Sequence, residues 1–504
     1  FDLTIMHTND THTDLKNMPK TANVVNEIRE KKPDALLLHA GDVFTGTLYF
    51  NEFKGLADLA LMNYMKFDAM TFGNHEFDLG NSGEGHQALV EFIKGAEFPF
   101  VSANIDFSKD SLFDGLFNDL ITADYENGQI YDGIIKEING EKVGIFGLTT
   151  EETKDISSPG LIEFENYLDK AEEAVAAFEA QGVNKIIALT HIGYDDNPAI
   201  DNDLILAEAV EGIDIIVGGH SHTPLAEPVL VAKDETPTVI VQAGNNNNNL
   251  GVLDVTFDEH GVIVDYEGEL IKIEEQEADP QAEEILREYK EVVDRIAQEP
   301  IGVNSPIELE NPRTGGDNTK PSVRKNETIL GNLITDGMLA KAREFTGKDV
   351  VMALQNGGGI RAAIDKGPIT VGEVINVLPF GNTLAIMEIT GAELKAAFEI
   401  SFKEYPGENG GFLHIAGGKV EFDSTKPVGE RVVEVYIKDA EGNFVPVDDE
   451  ATYIVATNAF TAKGGDGYDV FANAYEEGRV TDLGLVDWEN FLEHLVNIGS
   501  EGIP

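Results

Sequence analysis

Cysteine is absent from all 504 positions. That absence excludes disulfides, thiolate nucleophiles, iron–sulfur clusters and Cys-based zinc sites together. Basic residues are scarce, with 36 Lys and Arg against 91 Asp and Glu and a formal charge of −55. So negative a chain repels nucleic acid and anionic lipid at long range, and neither is expected as a partner. An anionic substrate must then be drawn in by local positive charge, from Arg, Lys or bound cations. Long apolar runs are missing as well. No stretch approaches the roughly 18 residues of a membrane-spanning helix, so insertion into a membrane is not expected. What is present, 42 % hydrophobic residues with readable periodicity, excludes disorder in spite of the charge. The length gives about two to four domains as a prior. The chain opens Phe1-Asp2-Leu3 without an initiator Met, which fits a cleaved export signal as well as a trimmed chain.

The first ~270 residues alternate short apolar runs with amphipathic stretches, the pattern of a layered α/β domain. Strands are expected at Leu3–His7, Ala35–Ala40, Ala69–Phe72, Lys185–Thr190 and Ile213–Gly218, with helices at Thr21–Lys31, Gly55–Tyr64, Gln87–Gly95 and Leu168–Ala180. Asn139-Gly140 signals a hairpin between Asp132–Ile138 and Lys142–Leu148. A second hairpin-like pair, Gly251–Asp258 and Val262–Glu267, closes this half. Asp279-Pro280 reads as a cap and first turn of a charged helix to Gln298, with Ile285, Tyr289, Val292, Val293 and Ile296 on one face. Its position suits an interdomain helix or a peripheral helix of either domain. Loop-rich sequence follows over Asn311–Pro321. The last part reads as a second α/β or α+β domain, with helices near Ile329–Thr346 and Ala392–Tyr405 and strands at Val350–Leu354, Thr383–Ile389, Arg431–Lys438 and Tyr453–Ala456. The expected division is 1–275, a linker helix over 276–300, and 301–504.

Eight of the eleven His lie in the first 222 residues, and their placement matters more than their number. Asp10-Thr11-His12 follows the first strand, Gly41-Asp42 the second and Gly73-Asn74-His75-Glu76 the third. His191 and Gly218-Gly219-His220-Ser221-His222 follow two later strands. Ligands of open α/β sheets bind in the crevice at the carboxyl ends of strands, where these loops would converge. Asp, Asn and His without Cys suit a divalent ion of intermediate hardness, such as Zn²⁺ or Mn²⁺. A lone carboxylate in a Gly-Asp turn is suited to bridging two ions, and two ions about 3.5–4 Å apart clamp a phosphoryl group. Any one of these residues alone would pass as a cap, an Asx-turn or a loop residue; the conjunction at five strand ends reverses that. His7 and His39, inside apolar strands, read as structural, and His86, His260, His414 and His494 as surface or packing residues.

Thr8-Asn9-Asp10-Thr11-His12, Ala40-Gly41-Asp42, Gly73-Asn74-His75-Glu76-Phe77-Asp78 and Gly219-His220-Ser221-His222 resemble the signature blocks of calcineurin-like metallophosphoesterases. More narrowly, they resemble the 5′-nucleotidase family. The resemblance implies that Asp10, His12 and His222 hold a first ion, that Asp42 bridges, and that Asn74, His191 and His220 complete a second. It also implies that His75 stabilises the phosphoryl group without ligating metal, with Asp78 orienting its ring. Residues three apart meet if the chain turns helically after His75, and a buried carboxylate partner favours the imidazolium form.

Only nine Arg occur in the chain. Arg324 precedes Lys-Asn-Glu-Thr-Ile-Leu-Gly-Asn-Leu, and Arg361 closes Asn356-Gly357-Gly358-Gly359-Ile360-Arg361. Arg in such settings suits bidentate contacts to phosphate, and a glycine run lets backbone approach a ligand. Phe380, in Pro379-Phe380-Gly381-Asn382, and Phe460, before Gly464-Gly465-Asp466-Gly467, are flanked by loop formers, unlike core Phe. Two such rings can sandwich a flat base. These blocks resemble the 5′-nucleotidase C-terminal domain. The resemblance implies base stacking by Phe380 and Phe460, and binding of ribose or phosphate by Arg324, Arg361 and Asp466, with Asn356 and Asn382 assisting. The Asn245–Asn249 tract, read as a polar loop, and the loop Glu408–Phe412 depart from the family pattern and receive no role.

The expectation is therefore an α/β metallophosphoesterase sandwich joined by a linker helix to an α+β nucleoside-binding domain. Its activity would be 5′-nucleotidase hydrolysis with two divalent ions, Zn or Mn, on a nucleotide substrate. With ions and base pocket on different domains, turnover would require a closed arrangement. The location would be secreted, cell-surface or periplasmic. Alternatives within the fold are a 2′,3′-cyclic nucleotide phosphodiesterase and a UDP-sugar or dinucleotide pyrophosphohydrolase. Outside it stands a non-catalytic surface adhesin or nucleotide-binding protein, which would be expected to have lost ligands present here.

Overall fold

The structure is a computed structural model that describes residues 1–80, 82–195, 198, 200–232, 236–315 and 317–503. Its contacts divide the chain into two compact units, Phe1–Val293 and Asp294–Pro504.

In the first unit, short apolar runs such as Leu36–His39, Ile186–His191 and Ile215–Val217 form strands that are buried on both faces. Near-continuous hydrophobicity is what parallel strands covered on two sides require. Among the described residues one sheet of 13 strands results. Asp2–Thr8, Leu36–His39, Ala69–Met70 and Phe100–Val101 run parallel on one side. Glu141–Thr149, Ile186–His191, Ile215–Val217 and Thr238–Val241 run parallel on the other. The two sides join at the antiparallel pair Ile130–Ile138 and Glu141–Thr149, whose turn carries Asn139 and Gly140 at φ 52° and 85°.

The alternation of side chains shows how this sheet is used. Ile5, Leu36 and Leu38 share one core with Ile187, Leu189, Ile215 and Val217, although the two sets lie far apart in strand order. The sheet therefore doubles back on itself as a sandwich. The intervening residues point outward. Met6, Leu37 and Met70 meet the helices Met18–Lys31, Leu56–Met65 and Gln87–Gly95. Phe146, Ala188 and Ile216 meet Tyr167–Ala180 and Asp203–Ala209. Layers of helix, sheet, sheet and helix bring the ends of strands from both sides to one rim.

Helix Pro280–Ala297 begins where Asp279 Oδ1 accepts from the N–H groups of Gln281 and Ala282. Its Ala282 and Leu286 join the first unit's core, and Tyr289 meets Phe53 edge-on at 4.9 Å.

The second unit is built on a five-stranded sheet in the order Leu413–Ala416, Val350–Asn356, Thr452–Asn458, Thr383–Thr390, Val480–Val486. Helix Ile329–Thr346 packs on it together with Asp487–Ile498. The former is capped by Thr328 and stopped by Gly347 at φ 63°, the left-handed ending that glycine favours. Gly391–Ser401 and Asp469–Glu476 bury Leu394, Phe398 and Phe471 against Met352, Leu354 and Met387. The 311–321 segment is loop, with Gly316 outside the described residues. Val350–Asn356 and Thr452–Asn458 are parallel, so Asn356 and Asn458 end at the same rim. Thr383–Thr390 is antiparallel to the latter, which brings the turn before it, with Phe380, to that rim as well.

Candidate metal centre and nucleoside site

The strand-end loops of the first unit are bent sharply. Asp10, His12, Asp42, His220 and His222 all have left-handed backbone, with φ between 48° and 75°. Non-glycine residues adopt this region at a cost, and such positions gather at functional sites. Gly41, at φ 87°, could not be anything larger, because a Cβ would lie 2.5 Å from Gly73 N and 2.8 Å from His191 Nδ1. The loops are thus packed backbone to backbone.

Their side chains converge. Asp42 Oδ2 lies 3.1 Å from His191 Nε2, and Asp10 Oδ1 lies 3.1 Å from His222 Nε2. Asp10 Oδ1 is also 3.9 Å from His12 Nε2 and 3.8 Å from His191 Nε2. Three overlapping clusters result: Asp10, His12 and His222; Asp42, His191 and His220; and His12, Asp42 and His75, each with ligand atoms within 4.8 Å of one another. Asp10 Oδ1, Asn74 Oδ1 and His191 Nε2 are buried here without a hydrogen-bond partner. Buried polar atoms are seldom left so, and carboxylate and imidazole atoms gathered within a few ångströms of one another fit divalent cations.

The charges are mutually compensated. Burial pushes Asp42 up, but His191 and His75 outweigh it and hold the carboxyl well below its ordinary value. Asp10 behaves alike under His222 and His191. Burial pulls His191 down, yet Asp42 and Asp10 prevail and raise it to about 9. His12, where burial dominates, is lowered to about 4.

His75 and Asp78 are brought together by the 3-10 turn His75–Phe77, with Nδ1 and Oδ2 2.6 Å apart. Ser157 Oγ donates to the other Asp78 oxygen at 2.7 Å, and His75 N donates to Asp42 Oδ1 at 2.9 Å. Distance does not separate His75 from the other candidate ligands, since it shares a cluster with His12 and Asp42, and its Nδ1 is held by Asp78 much as the Nδ1 of His191 is held by the Ala40 carbonyl at 2.6 Å.

Sequence reasoning left three contributors unassigned. Glu76 is buried and accepts four backbone N–H groups, from Asp42 (2.9 Å), Val43 (2.7 Å), Phe44 (3.1 Å) and Gly73 (2.6 Å). It ties the loop of Asp42 to the loop of Asn74, and it stood in plain view in the Asn-His-Glu block. Asn9 reaches Asp10 Oδ2 at 2.6 Å and the Ala243–Gly244 backbone. The Asn245–Asn249 tract lies against the same loops, with Asn246 N donating to Asp10 O at 2.8 Å. Nothing in its low complexity signalled that position. His39 hydrogen-bonds Thr11 Oγ1 and accepts from Gly41 N, supporting two of the loops from within its strand.

In the second unit the residues singled out from sequence form a polar and aromatic group. Asn356 Nδ2 donates to Asp466 Oδ2 at 2.8 Å, while Asn458 Nδ2 donates to Asn356 Oδ1 at 3.0 Å. Phe380 and Phe460 are 52 % and 46 % exposed, high values for rings of this size. The Arg361 guanidinium sits over the Phe380 ring at 5.6 Å, a cation–π arrangement. Phe460 lies against Gly465, where a Cβ would meet its ring at 2.5 Å. Arg324 Nε is buried without a partner. Asn382 follows at the same turn, and its carbonyl accepts from Asp487 N at 2.8 Å. Arg313, absent from the sequence-based set, is lowered by burial and by Arg324 and Arg361, which places a third guanidinium in the neighbourhood. The Glu408–Phe412 loop finds its place here. Gly410 O accepts from Gly358 N at 2.7 Å, and Glu408 accepts from Thr314 N at 3.1 Å.

Residues 3–224 match the calcineurin-like phosphoesterase family, and residues 306–473 match the 5′-nucleotidase C-terminal domain. A 5′-nucleotidase of Diplobatis ommata is 32 % identical, covering 96 % of this chain and 86 % of its own length. The chain belongs to the 5′-nucleotidase family. The trifunctional nucleotide phosphoesterase YfkN of Bacillus subtilis is 42 % identical over all of this chain, which spans only 34 % of that longer protein. The crystal structure of a 5′-nucleotidase precursor from Thermus thermophilus superposes with a TM-score of 0.61 at 40 % identity, over 99 % of this chain and 97 % of its own. Calcineurin-like phosphoesterase domains use divalent ions, in keeping with the clusters above. Among the described residues no helix is long and apolar enough to cross a membrane.

Proposed function

We propose that the chain hydrolyses nucleoside 5′-monophosphates to nucleoside and inorganic phosphate, with two divalent ions as cofactors. The observation that carries this reading is the convergence of Asp10, His12, Asp42, His191, His220 and His222 in overlapping clusters at the strand ends, with Asp10 Oδ1 and His191 Nε2 buried 3.8 Å apart. Asp10, His12 and His222 would hold one ion and Asn74, His191 and His220 the other, with Asp42 placed to serve both. The donor set suits Zn²⁺ or Mn²⁺. When bound, the ions supply positive charge to phosphoryl oxygens and acidify water.

The chain's own groups do the rest. His75, with Nδ1 tied to Asp78 at 2.6 Å, offers its Nε2 face to a phosphoryl oxygen as negative charge builds there. Glu76 and Asn9 fix the loops so that ligands need not reorganise during turnover. In the second unit, Phe380 and Phe460 stack the base, and Arg324, Arg361, Asp466, Asn356 and Asn382 bind ribose or phosphate. The water oxygen attacks phosphorus, and the nucleoside 5′-oxygen leaves and takes up a proton. The location proposed is secreted, cell-surface or periplasmic.

The name of the Bacillus relative, a trifunctional nucleotide phosphoesterase, favours a second reading in which cyclic or sugar nucleotides are also cleaved. Phosphate release should be followed after chelation and again after adding Mn²⁺ or Zn²⁺, with AMP, UDP-glucose and a 2′,3′-cyclic nucleotide. Metal-restored turnover of AMP above the others supports the first reading, and turnover of the cyclic or diphosphate substrate alone replaces it with the second. No turnover of any, with ions bound and the fold intact, leaves a binding protein.

A further inference from the structure

The Asn245–Asn249 tract is arranged around the ligand loops one residue at a time. Asn246 and Asn247 take left-handed backbone at φ 54° and 51°, a conformation that Asn tolerates better than most residues. Asn246 N holds Asp10 O, Asn247 Nδ2 donates to Asp14 O at 2.7 Å, and Asn249 Nδ2 donates to Ala243 O at 3.0 Å. Asn248 is exposed. The Asn245 side-chain amide lies 3.3 Å from His222 Nδ1, on the far side of the ring from Nε2, which lies 3.1 Å from Asp10 Oδ1 and 3.2 Å from His12 Nε2.

We infer that Asn245 selects the tautomer of His222 and thereby sets how tightly the first ion is held. This rests on the reading of His222 as a ligand. A neutral imidazole that gives its Nε2 lone pair to a cation must carry its proton on Nδ1, and the partner of Nδ1 decides whether that tautomer is favoured. An amide offers both faces. With Nδ2–H toward the ring, Nδ1 accepts and the proton sits on Nε2, beside Asp10 Oδ1 and His12 Nε2. With the amide turned over, Oδ1 accepts from Nδ1–H and Nε2 is free for the ion. The ring's proton moves from Nε2 to Nδ1 and the amide turns with it, so His222 changes neither charge nor proton count. A carboxylate at 245 serves only the second state and an alanine neither.

The test uses the whole chain stripped of metal. Zn²⁺ binding is measured by calorimetry, and the ring nitrogens of His222 are followed by ¹⁵N NMR before and after loading. The native protein should show Nε2–H without the ion and Nδ1–H with it. Asn245→Ala should weaken the first ion about tenfold or more, within the 10- to 100-fold range of lost outer partners. Asn245→Asp should show Nδ1–H already in the ion-free protein. Asn248→Ala should change neither, and melting curves check that each variant is folded. An Asn245→Ala affinity within twofold of native overturns the inference, as does a native spectrum that keeps Nε2–H with Zn²⁺ bound. If His222→Ala binds both ions as tightly as native, the ligand reading itself falls, which is a separate result.

Discussion

The two units expose their chemistry to opposite degrees. In the first, Asp10 and His191 are fully buried and Asp42 is 2 % exposed; in the second, Phe380 and Phe460 stand about half in solvent. Charges tolerate burial when opposite partners lie within about 4 Å, and Asp10, Asp42 and His191 provide that for one another. On the proposed reading, in which Phe380 and Phe460 stack a flat base, these rings have no such reason to be enclosed and stay open to receive it. On that reading one site is held ready by its own backbone, and the packing of the other is completed by its ligand.

The comparison can be broken most forcefully at His75. Its replacement by Ala should lower kcat for AMP about 10²- to 10⁴-fold, the range for a group that serves the transition state. Ion affinity should stay near native. A parallel loss of bound metal would make His75 a ligand instead. Next in size is Glu76→Gln. An amide cannot accept all four N–H groups that the carboxylate accepts, so the Asp42 and Asn74 loops should loosen and ion binding weaken about 10- to 100-fold by calorimetry.

A smaller effect sharpens the contrast in buried charge. Asp487, at the start of Asp487–Ile498, is buried and accepts from the Trp488 backbone N–H, and burial, with the Glu489 carboxylate adding to it, pushes it up to about 8. In the unfolded chain it ionises near pH 4. Stability from this group is therefore full below about pH 4 and declines as pH rises toward 8. Asp487→Asn should melt at increasingly higher temperature than the native protein between pH 5 and pH 8. A difference constant across that range would contradict the assignment.

How far all this was legible in the sequence varied with the kind of interaction. Strands such as Leu36–His39 and helices such as Ile329–Thr346 were readable because apolar periodicity reports local burial. The doubling back of the sheet was not, since nothing in Ile5 or Leu189 names the partner across the core. The convergence of the strand-end loops was readable because five strands end in metal-competent residues. Glu76 was hidden by its chemistry: a carboxylate that binds only backbone N–H groups leaves no trace in its partners' identities. The Asn245–Asn249 tract was hidden by its composition, which reads as loop wherever it falls. Phe380 and Phe460 stood out by their glycine-rich and polar flanks, while Arg313 had no motif around it.

The central claim is a division of labour, with chemistry in the first unit and nucleoside recognition in the second. It is tested most directly by kcat/KM for AMP and for p-nitrophenyl phosphate in a Phe380→Ala, Phe460→Ala double variant. Each lost stack costs about 1–3 kcal/mol. AMP turnover should therefore fall about 30-fold or more, and p-nitrophenyl phosphate, which has no base, should stay within about twofold of native. An equal fall for both substrates would contradict the division.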